Sequence, residues 1–190
     1  MSVPLATTRR AAGIPTGRLA VWWVLASEIV IFGGLLGAYL MQRIGHADWA
    51  DQAMHTSIWA GGFNTFVLLS SSLSAVLAHQ AAQQGEGRKA ATLLLGTVAG
   101  GAVFLTVKAF EWAHEIADGF TIGSHLFWSF YYTAAGLHAA HVVAGMALML
   151  FVAAAAAQNR ELHRVENVGI YWHFVDIVWI FLFPLLYIAK

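Results

Sequence analysis

Ile170-Tyr-Trp-His-Phe-Val-Asp-Ile-Val-Trp-Ile-Phe-Leu-Phe-Pro-Leu-Leu-Tyr-Ile188 is an apolar run of membrane length that carries His173 and Asp176 one helical turn apart. A titratable side chain at the centre of a bilayer costs roughly 2.5–3.5 kcal/mol on insertion scales. Such groups persist where neighbouring helices satisfy them. The stretch therefore implies an integral membrane protein with polar groups inside a bundle.

The rest of the chain agrees. Of 190 residues, 59% are hydrophobic and only 11% charged, against about 25% charged in soluble domains. The mean hydropathy is +0.65. A net charge of zero argues against nucleic acid as a partner. No cysteine is present, which excludes disulfides, thiolate metal sites, iron–sulfur clusters and cysteine nucleophiles.

Crossing roughly 30 Å of hydrocarbon takes about 20 helical residues. Five segments qualify: Leu19 to Met41, Ile58 to Ala78, Ala91 to Trp112, Leu126 to Ala156, and Ile170 to Ile188. The connections are His46 to His55, Gln80 to Lys89, His114 to Ser124 and Gln158 to Glu166. All are short and polar, so the expected fold is all-α, a single bundle of five transmembrane helices spanning 19–190 behind an N-terminal tail, 1–18. Arg9, Arg10, Arg18, Arg88, Lys89, Arg160 and Arg164 fall on one side, and Arg43 and Lys190 on the other. That bias puts the tail in the cytoplasm and the C-terminus outside. The first apolar run is too long for a signal peptide and reads as a retained helix.

Each helix holds a polar group at depth. Glu28 in the first is either neutral or paired, and Gly33 and Gly37 after it offer a small-xxx-small face for a close helix. Asn64 in the second, among Thr65, Ser70, Ser71, Ser72 and Ser74, reads as interhelical glue. Lys108 and Glu111 in the third share a face and can neutralise each other, although Lys108 also has the reach to snorkel to the interface. Glu115 and Asp118 carry the acidic character into the following loop. His138 and His141 in the fourth share a face, but without a Glu-x-x-His partner or cysteine they are a weak metal signal, and hydrogen bonding to Glu28 or Glu111 is favoured. In the fifth, His173 and Asp176 read as a mutually orienting pair between Trp172 and Trp179. Gly100-Gly101 reads as close packing. No catalytic, cofactor-binding or metal residue is assigned. The buried polar set is Glu28, Asn64, Glu111, His138, His141, His173 and Asp176.

These motifs resemble the third subunits of the haem–copper oxidases, cytochrome c oxidase and quinol oxidase. The resemblance is strongest in Tyr171-Trp-His-Phe-Val-Asp-Ile-Val-Trp179 and continues in Gly136-Leu-His-Ala-Ala-His-Val-Val-Ala-Gly145. Ser27-Glu28 resembles the family's buried glutamate motif, Phe63-Asn-Thr-Phe-Val-Leu-Leu-Ser-Ser-Ser72 its next helix, and Lys108-Ala-Phe-Glu-Trp112 its acidic–aromatic helix end. The matching region runs from Trp22 to Tyr187. Mitochondrial-type members have seven helices, and this chain is similar to the last five, as in five-helix bacterial forms.

The resemblance implies an accessory subunit of a proton-translocating oxidoreductase in the bacterial inner membrane. It implies no haem or copper in this chain, since both belong to the partner catalytic subunit, and it admits bound phospholipid. The implied partners are subunit I, subunit II and membrane lipid. The implied role is to stabilise subunit I and support its proton uptake. The alternatives are a similar accessory protein of a nitric oxide reductase and, more distantly, a self-standing membrane metalloenzyme or transporter.

Overall fold

The computed structural model describes residues 10–11 and 14–188. Much of the tail, Arg9 included, and Lys190 lie outside the described residues. Five long apolar helices carry the fold: α1 (Thr16–Gly45), α3 (Ile58–Gln83), α4 (Gly87–Ala117), α5 (Leu126–Ala156) and α6 (His163–Phe183). All five meet the length and hydropathy needed to cross a membrane.

α5 spans the expected Leu126–Ala156, whereas the other helices outrun the segments expected from hydropathy. α4 starts four residues earlier and ends five later than its apolar run, and α6 begins at His163 instead of Ile170. The polar ends continue the helical hydrogen bonding beyond the apolar core. Three small elements were not expected from the sequence. A two-residue antiparallel pair, β1 (Arg10–Ala11) with β2 (Ile14–Pro15), precedes α1. A short helix, α2 (Trp49–Ala53), occupies the loop between α1 and α3. A π-helical turn, Pro184–Ile188, ends the last span. Proline has no N–H and its ring displaces the preceding carbonyl, so wider hydrogen bonding at Pro184 accommodates it.

α3, α4, α5 and α6 form a closed core, with α3 against α4 and α6, and α5 against α4 and α6. α1 lies outside, against α6 and α5. Burial matches this order: half of α6's apolar window is enclosed by the chain, but only 11% of that in α1. Two tryptophans, seven residues apart on α6, fill the centre. Trp172 sits against Gly101 of α4 and Gly145 of α5, where a Cβ would come within 2.8 and 3.0 Å of the indole. Its Nε1 donates to Ser71 Oγ at 3.1 Å. Trp179 lies edge-on to Phe104 and donates from Nε1 to Thr65 Oγ1 at 3.0 Å.

Gly100 approaches Ser71 of α3 equally closely, so Gly100-Gly101 is a packing device. Gly33 and Gly37 differ from expectation: nothing lies within 4 Å of a Cβ at either, so their face of α1 is open in this chain. Gly85 turns α3 into α4 with φ +76°, a backbone region that side chains resist.

Gly101→Leu should drive a side chain into Trp172 and Met146 and cost about 1–3 kcal/mol through overpacking. Gly33→Leu meets open space and should leave the chain's own stability unchanged or slightly raised. Denaturant unfolding in detergent micelles distinguishes the two.

Candidate functional site

The polar side chains inside the bundle fall into three groups. The first lies where α4 and α5 meet the C-terminal turn. Lys108 is 2% exposed, so it does not snorkel. Its Nζ donates to Glu111 Oε2 at 3.0 Å, Tyr131 Oη at 2.9 Å and Tyr187 Oη at 2.6 Å. Four rings, those of Trp112, Tyr131, Trp179 and Tyr187, surround the ammonium at 4.8–5.9 Å. All three ammonium hydrogens are used, and the ring faces supply further attraction for the cation.

Glu115 belongs to this cluster and not to the loop after it. α4 runs on to Ala117, and the residue is 4% exposed. Tyr131 Oη donates to Glu115 Oε1 at 2.9 Å, and Tyr132 Oη stands 3.4 Å from Oε2. Sequence reading found Lys108 and Glu111 through their i,i+3 spacing but missed Tyr131, Tyr132 and Tyr187. The paired tyrosines beside the apolar start of α5 were the available signal.

The second group is central. Asn64 is fully buried and donates from Nδ2 to Phe104 O at 3.4 Å. His138 is fully buried, stacked on Trp179 with centroids 5.3 Å apart and edge-on to Phe104. Neither of its nitrogens, nor Asn64 Oδ1, has a hydrogen-bond partner among the described residues. His173 does not orient Asp176: its Nδ1 lies 2.6 Å from Ser72 Oγ, on α3. Asp176 is 3% exposed and both its oxygens lack partners among the described residues. Each such group costs about 1–3 kcal/mol unless water or a neighbour satisfies it.

The third group ties α1 to the core at three depths. Near its start, Arg18 pairs with Glu166. Midway, Glu28 Oε2 lies 3.0 Å from His141 Nε2, in contact but without hydrogen-bond alignment. Towards its end, Tyr39 Oη donates to Leu185 O at 2.7 Å. The two fourth-segment histidines thus diverge, His141 facing α1 and His138 facing the core. No three histidine, aspartate or glutamate side chains converge as a metal would require, among the described residues. Outside the spans, His125 Nε2 lies 3.0 Å from Asp48 Oδ2, and this bond holds the Asp48 carboxyl below its ordinary range. Trp128 Nε1 donates to Gln52 Oε1 at 2.9 Å beside it.

A bundle of five long apolar helices, held from within by a buried ion pair and aromatic rings, defines a multi-pass membrane protein of the helical-bundle class. Over residues 11–190 its sequence matches the family model described as cytochrome c oxidase subunit III, and the chain belongs to that family. It is 33% identical to a cytochrome c oxidase subunit 3 of Corynebacterium diphtheriae over 173 residues, covering 87% of this chain and 84% of that protein. It is 33% identical to a protein of the same name from Thermostichus vulcanus over 169 residues, 86% of this chain and 83% of that one. An Aeropyrum pernix protein named haem–copper oxidase subunit I+III is 30% identical over 183 residues, 90% of this chain but 22% of that longer one.

Lys108→Met should cost about 3–5 kcal/mol, because it leaves the buried Glu111 carboxylate without its cation. Adding Glu111→Leu should restore much of the loss, and a double-mutant cycle of unfolding free energies reads the coupling. For the Asp48–His125 latch the carboxylate form is the stabilised one. Its contribution is therefore present at neutral pH and is lost as acid titrates Asp48 through its lowered range. Hydrogen exchange at the start of α5 should quicken on that acid limb, and Asp48→Asn should be fast at every pH.

Proposed function

We propose that this chain is the accessory third subunit of a respiratory haem–copper terminal oxidase in a bacterial inner membrane. In this reading it docks on the haem-bearing subunit I, with subunit II as a second neighbour, and carries no redox centre of its own. The family match over nearly the whole chain carries the reading. A relative whose name joins subunits I and III in one polypeptide supports subunit I as the neighbour. The open Gly33–Gly37 face of α1 is suited to a helix from outside the chain, because small residues let backbones approach closely in lipid.

The chain stabilises the catalytic subunit and supports its proton uptake. Glu28, Asn64, Glu111, His138, His141, His173 and Asp176 act in this as one set of buried polar groups, structural and electrostatic in role. The excess of arginine and lysine on the N-terminal side supports a cytoplasmic tail, 1–18, and an outer C-terminus. Haem and copper belong to the partner, and phospholipid fits the open flank of α1.

Purification in mild detergent, with mass spectrometry of partners and a visible haem spectrum, tests the assignment. An oxidase subunit I is the expected companion, and a nitric oxide reductase or a chain without haem partners would overturn it. In the complex, Glu28→Gln should loosen α1 at the His141 contact and shorten the working lifetime during turnover while sparing the initial rate. Unchanged lifetime, complex stability and proton pumping would reduce Glu28 to a packing residue.

A further inference from the structure

The Lys108 cluster holds two carboxyl groups and one ammonium, all enclosed. Lys108 bonds Glu111 Oε2 and so neutralises that carboxylate. Glu115, four residues on along the same face, has no ion-pair partner among the described residues. Its neighbours are the hydroxyl groups of Tyr131 and Tyr132. Tyr131 takes a hydrogen from Lys108 and gives its own to Glu115 Oε1 at 2.9 Å. Tyr132 gives its hydrogen to Phe120 O at 2.7 Å, far shorter than its 3.4 Å contact with Glu115 Oε2. Tyr132 therefore gives Glu115 Oε2 only a weak second contact, and Tyr131 is the one close donor to the carboxyl. An unprotonated Glu115 would be a second buried negative charge beside a single ammonium already paired with Glu111.

A place for that proton to move also exists. Glu111 Oε1 has no partner among the described residues, and the residue is 8% exposed. Glu111 and Glu115 together line a cleft of about 340 Å³ between α3 and α4, with His55, Ser57, Phe110 and His114 on its walls. His114 is 83% exposed at the mouth and pairs with Asp118, while His55 lies over Phe120 with ring centroids 4.4 Å apart. With Lys108, Tyr131, Tyr132 and Tyr187 on the inner side, these are the titratable groups that face the carboxyls.

We propose that Glu111 and Glu115 form a proton-binding site that stores one exchangeable proton, held on Glu115 between Tyr131 and Tyr132 and passed to the aqueous phase by way of Glu111 Oε1 and the His114 cleft. The site lies at the end of the bundle opposite the Arg18–Glu166 pair. It does not depend on which complex the chain joins. No redox partner is needed, since the proton moves between carboxyl oxygens and water.

Infrared difference spectroscopy of the purified native complex tests it. Wild type minus Glu115→Gln should show the loss of one protonated carboxyl per chain at neutral pH. The same band should shift in D2O within the mixing time. Tyr132→Phe, which keeps the carboxyl and removes only its hydroxyl neighbour, should displace the band and serves where Glu115→Gln does not assemble. Glu111→Gln should leave the Glu115 band in place but slow its exchange. A difference spectrum showing only ionised carboxylate at Glu115 overturns the proposal, and so does a bound cation that replaces the proton. A protonated band that does not exchange removes the storage role.

Discussion

Hydrocarbon offers no hydrogen bonds, so a polar side chain carried into the membrane depends on partners within the protein. The Lys108 ammonium shows how the bundle meets that constraint. Its three hydrogens go to α4, α5 and the C-terminal turn, so one charge stitches three separate segments. The π-helical turn at Pro184 matters for the same reason, since Tyr187 belongs to it and is fully buried against Lys108.

The packing around that cluster follows from size. Glycines on α4 and α5 let Trp172 lie across the bundle centre, and serines and threonines on α3 receive the indole N–H groups. The four-helix core is thus closed by large rings set against small residues. α1 is attached differently, by an ion pair at one end, a Glu28–His141 contact in the middle and a tyrosine hydroxyl at the other end. Its apolar sides are largely uncovered by this chain, as suits a subunit whose remaining neighbours are lipid and other proteins.

Much of the polar chemistry could be anticipated residue by residue, but not pair by pair. Lys108 and Glu111 were legible as partners because both sit on one helix face. The same argument failed for His173 and Asp176, where a serine 101 residues away takes the imidazole. His138 and His141, three residues apart, turn to different neighbours, because α1 stands on one side of α5 and Trp179 on the other. Glu115 looked like a loop residue because a polar helix end has no hydropathy signature.

The amino-acid sequence alone determined the number of spans, their order and the residues that had to be kept from lipid. Bilayer thickness sets the length of an apolar helix, and length is visible in one dimension. Only the tertiary structure decided which polar groups meet, which glycines are filled and which stay open. A helix that is apolar on all sides has no amphipathic stripe to reveal its inward face. The groups that fix it, such as Lys108 and Tyr187, stand 79 residues apart and become neighbours only when the helices pack.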